Sequence, residues 1–218
     1  MMSASFQLPV WIDLGAVFAF AVTGALAAIN RGYDIVGVFF LALVSSIGGG
    51  LIRDGIFIPS GEATPLLTDS RYIQVVVAAT VVGAVFGRHV TRFRRVIALI
   101  DALGLGAYAA FGTQKALQFG LAIPAALLVG VVNAAGGGLL RDVITREEPL
   151  VFRPGQFYVL TALAGAVTFV FLSVHRALDP TPSALIAIGV TFIFRVLTIV
   201  FNWRTSAVAP PQERDLTP

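Results

Sequence analysis

Apolar residues run through this chain in seven long blocks, separated by short stretches that contain polar residues, glycine or proline. A helix that crosses a membrane needs about 20 mostly apolar residues, and each block approaches or reaches that length. The pattern therefore predicts seven transmembrane helices. Their expected ranges are 11–29, 35–57, 72–88, 96–117, 122–144, 156–174 and 183–201.

A sequence repeat divides these blocks. The motif GGGLIRD begins at Gly48, and GGGLLRD begins at Gly136, 88 residues later. With that offset, 16 of the 45 positions from 12 to 56 are identical to their counterparts. Each copy holds three spans, and because three is odd, the second copy must be inverted relative to the first. We therefore expect an all-α integral membrane protein with two inverted three-helix repeats plus a seventh helix.

The predicted domain organisation follows from the repeat. Repeat one covers about 10–90, repeat two about 98–176, and the seventh helix about 183–201. Together they form a single transmembrane domain over 1–203. The polar, proline-containing segment 204–218 is expected to be a disordered cytoplasmic tail.

Composition agrees with a membrane protein and excludes several function classes. The chain is 57% hydrophobic with a mean hydropathy of +0.87, and 12% of it is charged, against about 25% in soluble domains. It has no cysteine, which excludes thiol catalysis and cysteine-based zinc sites. His89 and His175 lack metal-ligand spacing, and no nucleophile-base pair is recognisable. We expect neither an enzyme nor a bound cofactor, and no nucleic-acid partner.

Charges in the connections predict the orientation. With the N-terminus outside, the inner connections and tail carry ten Lys and Arg residues. The outer connections carry four, which are Arg53, Arg71, Lys115 and Arg176. Positive residues concentrate on the cytoplasmic side. The expected topology places the N-terminus outside and the C-terminus in the cytoplasm, anchored by the arginine cluster at 88–95.

The repeated motif concentrates small and charged residues inside apolar sequence. Residues four positions apart share a helix face, so each motif produces a face that cannot meet lipid, where an unpaired charge costs at least about 3 kcal/mol. Three glycines, each costing about 1 kcal/mol of helix propensity, predict that the second and fifth helices bend at the triplets by a kink or by local unwinding. The carbonyls freed there would line a hydrated path. Close helix packing is the alternative. The candidate pathway residues are Ser45, Gly48, Gly49, Gly50, Arg53, Asp54, Asn133, Gly136, Gly137, Gly138, Arg141 and Asp142.

Three further charged residues lie in the apolar spans or at their ends. Asp13 and Asp101 occupy equivalent positions at the starts of spans one and four. Each is either a helix cap at the membrane interface, since acidic residues are favourable at helix N-termini, or a residue at the mouth of the path. We include both aspartates as candidates. Arg195, inside span seven, is expected to tie that span to the repeats.

The doubled GGGxxRD motif on the second and fifth of seven spans resembles that of the prokaryotic trimeric intracellular cation (TRIC) channels, also grouped as UPF0126 membrane proteins. The resemblance covers about residues 10–203. It implies a homotrimer with one pore per protomer, bordered by the second and fifth helices. It also implies transient K⁺ or Na⁺ binding with only weak preference for K⁺. The glycines, arginines and aspartates of both motifs would line that pore.

The resemblance also bears on location and on an alternative function. The tail has two arginines and no lysine, unlike the longer lysine-rich tails of animal members, so a bacterial plasma membrane is expected. Membrane lipids are expected partners, and a bound phospholipid is a further candidate ligand. The same family has been labelled a glycine transporter. A carrier for a small zwitterion, for which an Arg-Asp pair is suited, therefore remains an alternative to the channel.

Overall fold

The computed structural model of the protein describes residues 8–58, 64, 68–90, 94–153 and 157–203. Within these residues the chain forms seven helices and no strand. The helices are α1 Val10–Asn30, α2 Ile35–Ile52, α3 Ser70–Val90, α4 Arg94–Gln118, α5 Ile123–Ile144, α6 Tyr158–Val170 and α7 Pro180–Val200. The predicted tail at 204–218 lies outside the described residues, as do the side chains of the predicted arginine cluster at 88–95.

Each of the seven helices is long and apolar enough to cross a membrane, which confirms the predicted spans to within three residues at their starts. Two of them end in π-helical turns. Arg53–Phe57 continues α2, and Phe171–His175 continues α6. The wider turn lets the Ile58 N–H donate to the Arg53 carbonyl, five residues back, at 2.9 Å.

Local structure repeats with the 88-residue offset. Gly32 ends α1 and Gly120 ends α4, with φ of 74° and 77°, a left-handed conformation that glycine adopts without steric cost. After each glycine, the next N–H bonds back to a carbonyl five residues earlier: Tyr33 to Ala28 and Leu121 to Ala116, both at 3.1 Å. The same helix-ending bonds therefore close equivalent helices in both repeats.

The packing of the helices follows the repeat and then departs from it. α1 packs on α2 as α4 packs on α5, and the repeats meet where α2 crosses α5 and α1 crosses α4. α7 packs mainly on α4 and α6, so it covers only repeat two. The guanidinium carbon of Arg195 lies 5.2 Å from the centre of the Tyr158 ring of α6, which places Arg195 in a tie between α7 and the repeats.

Candidate functional site

Polar side chains gather in two clusters at opposite ends of the helices. Because successive helices alternate in direction, α1 and α3 begin, and α2 and α4 end, at one end, which we call the first face. The opposite end is the second face. The first cluster contains Asp13, Arg53, Asp54, Tyr72, Lys115 and Asn133. The second cluster contains Thr23, Asp101, Arg141 and Asp142.

The first cluster is built around a buried guanidinium. Arg53 is 4% exposed and donates to both carboxylate oxygens of Asp54, from Nε at 2.7 Å and from Nη2 at 2.8 Å. Its Nη1 donates to Asn133 Oδ1 on α5 at 3.2 Å. Lys115 Nζ reaches both oxygens of Asp54 at 3.0 Å. One carboxylate thus pairs with two cations from two helices, which makes Asp54 the electrostatic centre of this cluster.

Two tyrosines lie beside the first cluster, and the hydroxyl of each donates a hydrogen bond to another helix. The Tyr72 hydroxyl donates to the Asp13 carboxylate, which is buried. The Tyr108 hydroxyl of α4 donates to the Ser46 carbonyl of α2. Asn133 Nδ2 donates to the Tyr108 carbonyl at 2.8 Å. Asp13 is therefore held in a buried hydrogen-bonded pair beside the first cavity, and α1 has no side-chain cap at its start.

The second cluster repeats this plan with different partners. Arg141 Nε donates to Asp142 Oδ1 at 3.0 Å, and its Nη1 lies 3.4 Å from Asp101 Oδ1 and 3.1 Å from Thr23 Oγ1. The other carboxylate oxygen of Asp142 accepts from the Leu150 N–H at 3.2 Å. The contact with Asp101 joins α5 to α4 across the two helices. The adjacent Arg-Asp contacts form as well, because the long arginine side chain reaches back to its neighbour.

The glycine triplets do not unwind their helices. α2 is α-helical through Gly48–Gly50 and α5 through Gly136–Gly138, so the expected supply of free carbonyls is wrong. The reason is packing. A Cβ on Gly49 would lie 2.0 Å from the Asn133 carbonyl oxygen, and a Cβ on Gly137 would lie 2.0 Å from the Ser45 carbonyl oxygen. These equivalent contacts show that glycine lets the backbones of α2 and α5 touch.

A cavity adjoins each cluster. The first has a volume of about 40 Å³ and is lined by Asp13, Arg53, Asp54, Tyr108 and Asn133 among others. The second is larger, about 250 Å³. A single water needs only about 10–15 Å³ measured in this way, so both cavities have room for water. The second cavity is lined by three acids and three arginines: Asp101, Asp142, Glu147, Arg141, Arg153 and Arg195.

The structure adds residues that the sequence analysis did not single out. Lys115 is the only lysine of the chain and stands in an apolar span. A charge in such a place could have marked it as a site residue, but the charge count assigned it to an outer connection. Arg53 was counted there too, and both belong to the first cluster. Thr23 carried no such signal, because a lone threonine hydroxyl in an apolar helix usually bonds its own backbone. Tyr108 carried none either, since its partner lies on another helix.

An exposed ion pair joins two connections at the second face. Arg31, after α1, donates to Glu147, after α5, at 2.8 Å, and the two side chains are 39% and 49% exposed. Exposed pairs contribute about 0–1 kcal/mol. We therefore expect Glu147→Gln to lower the free energy of unfolding by less than about 1 kcal/mol, as measured by thermal unfolding in detergent at low and high salt. Glu148→Gln is the matched control, and a loss several times larger would contradict this assignment.

Comparison with known proteins decides the family. A family model described as "Glycine transporter" matches residues 10–88 and 98–174. The UPF0126 membrane protein of Deinococcus radiodurans is 35% identical over 76% of both chains. That of Streptomyces coelicolor is 38% identical over 93% of this chain and 91% of the other. The chain belongs to the TRIC/UPF0126 family.

Solved structures agree with that membership. The TRIC trimeric intracellular cation channel orthologue from Rhodobacter sphaeroides superposes with a TM-score of 0.81 at 30% identity, covering 88% of this chain and 97% of the other. A second TRIC cation channel structure gives a TM-score of 0.81 at 26% identity, with 94% and 98% covered. The seven-helix fold with inverted repeats is thus the TRIC fold, and this member of the family is a multi-pass membrane protein.

Proposed function

We propose that this TRIC-family protein is a cation channel that conducts K⁺, and Na⁺ almost as well, through a pore inside each protomer of a homotrimer. The likeness to two TRIC cation channel structures, each at a TM-score of 0.81 over most of both chains, carries the proposal. In the proposed topology the N-terminus is outside and the C-terminus is in the cytoplasm of a bacterium. Membrane lipids surround the trimer, and a phospholipid is a candidate ligand.

The proposed path runs from the first cluster to the second, bordered on one side by α2 and α5 and on the other by α1 and α4. Two buried polar clusters at opposite faces of an apolar bundle are costly in a membrane and mark ion pathways in general. The residues assigned to the path are those of the sequence analysis. The glycines contribute by letting α2 and α5 approach, since their backbones are hydrogen-bonded within the helices.

Charge balance along the path argues for weak selectivity. In the first cluster two acids, Asp13 and Asp54, face two cations, Arg53 and Lys115. The second cavity is lined by equal numbers of acidic and basic side chains. A path without net charge, and without the carbonyl rings of selective K⁺ channels, discriminates little among monovalent cations.

The carrier alternative has less support. A zwitterion would need a free carboxylate and a free guanidinium, but Arg53 already makes two hydrogen bonds to Asp54. Arg141 makes one hydrogen bond to Asp142 and one to Asp101. A glycine molecule would have to break these buried pairs before it could bind, which is costly in a low dielectric.

Planar-bilayer recording of the purified protein tests the proposal. In symmetric KCl we expect unitary currents. In a KCl gradient we expect a reversal potential that is shifted from zero towards the equilibrium potential of K⁺. Replacing K⁺ by Na⁺ on one side should shift the reversal potential only slightly. Saturable glycine counterflow in proteoliposomes, without unitary currents, would instead establish the carrier.

A further inference from the structure

Two aromatic rings lie between the cavities of the two clusters. Phe20 of α1 and Tyr108 of α4 stack with their centres 5.3 Å apart and their planes 15° apart. Tyr108 lines the first cavity. Thr23, whose hydroxyl donates to the Phe20 carbonyl at 2.9 Å, lines the second. Along α1, Phe20 lies between Asp13 of the first cluster and Thr23 of the second. Along α4, Tyr108 lies between Asp101 and Lys115, so the stacked rings stand at a depth between the two cavities.

The internal repeat explains the position of this pair. Residue 20 and residue 108 are 88 positions apart, the offset of the repeat. Equivalent residues of two inverted repeats meet where the repeats cross, so the rings face each other at the centre of the protomer. The Phe20 ring also packs closely on Gly104 of α4. Both side chains are almost fully buried, at 0% and 4% exposure, and the crossing point is therefore apolar.

A hydrogen bond breaks the symmetry of the pair. The Tyr108 hydroxyl donates to the carbonyl of Ser46 on α2, two residues before the first glycine triplet. Phe20 has no hydroxyl with which to make the equivalent bond. Tyr108 is thus hydrogen-bonded through its hydroxyl to α2 and through its backbone carbonyl to Asn133 of α5. Its position depends on how α2 and α5 sit against each other.

We infer that the Phe20–Tyr108 stack is the barrier of the ion path, held in place by the bond from Tyr108 to Ser46. The inference rests on the proposed channel function. An apolar constriction blocks hydrated cations because water leaves it. Separating the rings would join the two cavities, and the bond to Ser46 opposes that separation.

The decisive variant is Tyr108→Phe in planar bilayers with symmetric KCl. It removes one hydroxyl and preserves the ring, so the stack stays apolar but loses its attachment to α2. Because a net hydrogen bond is equivalent to about a fivefold change in an equilibrium, we expect the open probability to rise about fivefold. Unitary conductance should change much less than the open probability, because the ring that forms the barrier is kept.

A second variant and its control separate the barrier from general packing. Phe20→Leu shortens the stack and should also raise the open probability. Phe169→Leu removes the same ring from an equally buried position on α6, away from both cavities, and should lower the melting temperature without raising the current. Size-exclusion chromatography of all three variants checks assembly.

The outcomes distinguish this inference from the proposed function. Wild-type open probability in both Tyr108→Phe and Phe20→Leu, with assembly intact, would overturn the barrier and leave the channel standing. Absence of unitary currents in the wild-type protein would overturn both. If Phe20→Leu does not assemble, Tyr108→Phe decides alone, since loss of one hydroxyl is the smallest change to the stack.

Discussion

Gly137→Ala is expected to lower the free energy of unfolding by about 3 kcal/mol, the upper range for overpacking a tight interior. The added methyl would lie 2.0 Å from the Ser45 carbonyl oxygen, so α2 and α5 would have to separate. Gly49→Ala should cost a similar amount, because its methyl would meet the Asn133 carbonyl oxygen at the same distance. Thermal or denaturant unfolding of the purified protein in detergent measures the effect.

Gly50→Ala is the matched control within the same triplet. The nearest atom to its new methyl is Arg53 Nη2 at 3.8 Å, an ordinary contact. Alanine favours the helix by about 1 kcal/mol over glycine, so this variant should be as stable as the wild type or more stable. Equal stability of Gly137→Ala and Gly50→Ala would show that helix contact is not what requires glycine in the motif.

Asp54→Asn should reduce K⁺ conductance by about tenfold or more. It removes the carboxylate that pairs with both Arg53 and Lys115 and leaves one excess positive charge at the first cavity. A K⁺ ion about 4 Å from an unpaired cation is repelled by about 4 kcal/mol at an effective dielectric constant of about 20. This energy is far larger than a tenfold fall in K⁺ conductance requires. Single-channel recording and the reversal potential in a KCl gradient measure the loss, and the K⁺/Cl⁻ permeability ratio should fall.

A double variant tests whether charge is the cause. Adding Lys115→Met to Asp54→Asn leaves one acid, Asp13, facing one cation, Arg53, so the charge balance is restored and much of the K⁺ current should return. Asp142→Asn should have a weaker effect, since Asp101 remains 3.4 Å from Arg141. Unchanged K⁺ current and an unchanged K⁺/Cl⁻ ratio in Asp54→Asn would remove Asp54 from the path.

Much of the fold could be predicted from the sequence because its signals are local. Span length follows from hydropathy, and the inverted repeat follows from an 88-residue offset with an odd number of spans. The same offset pairs Gly32 with Gly120, and both end their helices in the same conformation. Charged residues in apolar sequence must be buried together, so the motif alone brought Arg53 and Arg141 to attention.

Tertiary structure decided what those residues contact. Composition suggests that three glycines weaken a helix, yet the triplets stay helical because the backbone of α5 lies against Gly49 and that of α2 against Gly137. The attachment of Lys115 to Asp54 and the stacking of Phe20 on Tyr108 likewise join residues 61 and 88 positions apart. Helix propensity and hydropathy are properties of neighbouring residues, whereas these contacts exist only once the two repeats have packed against each other.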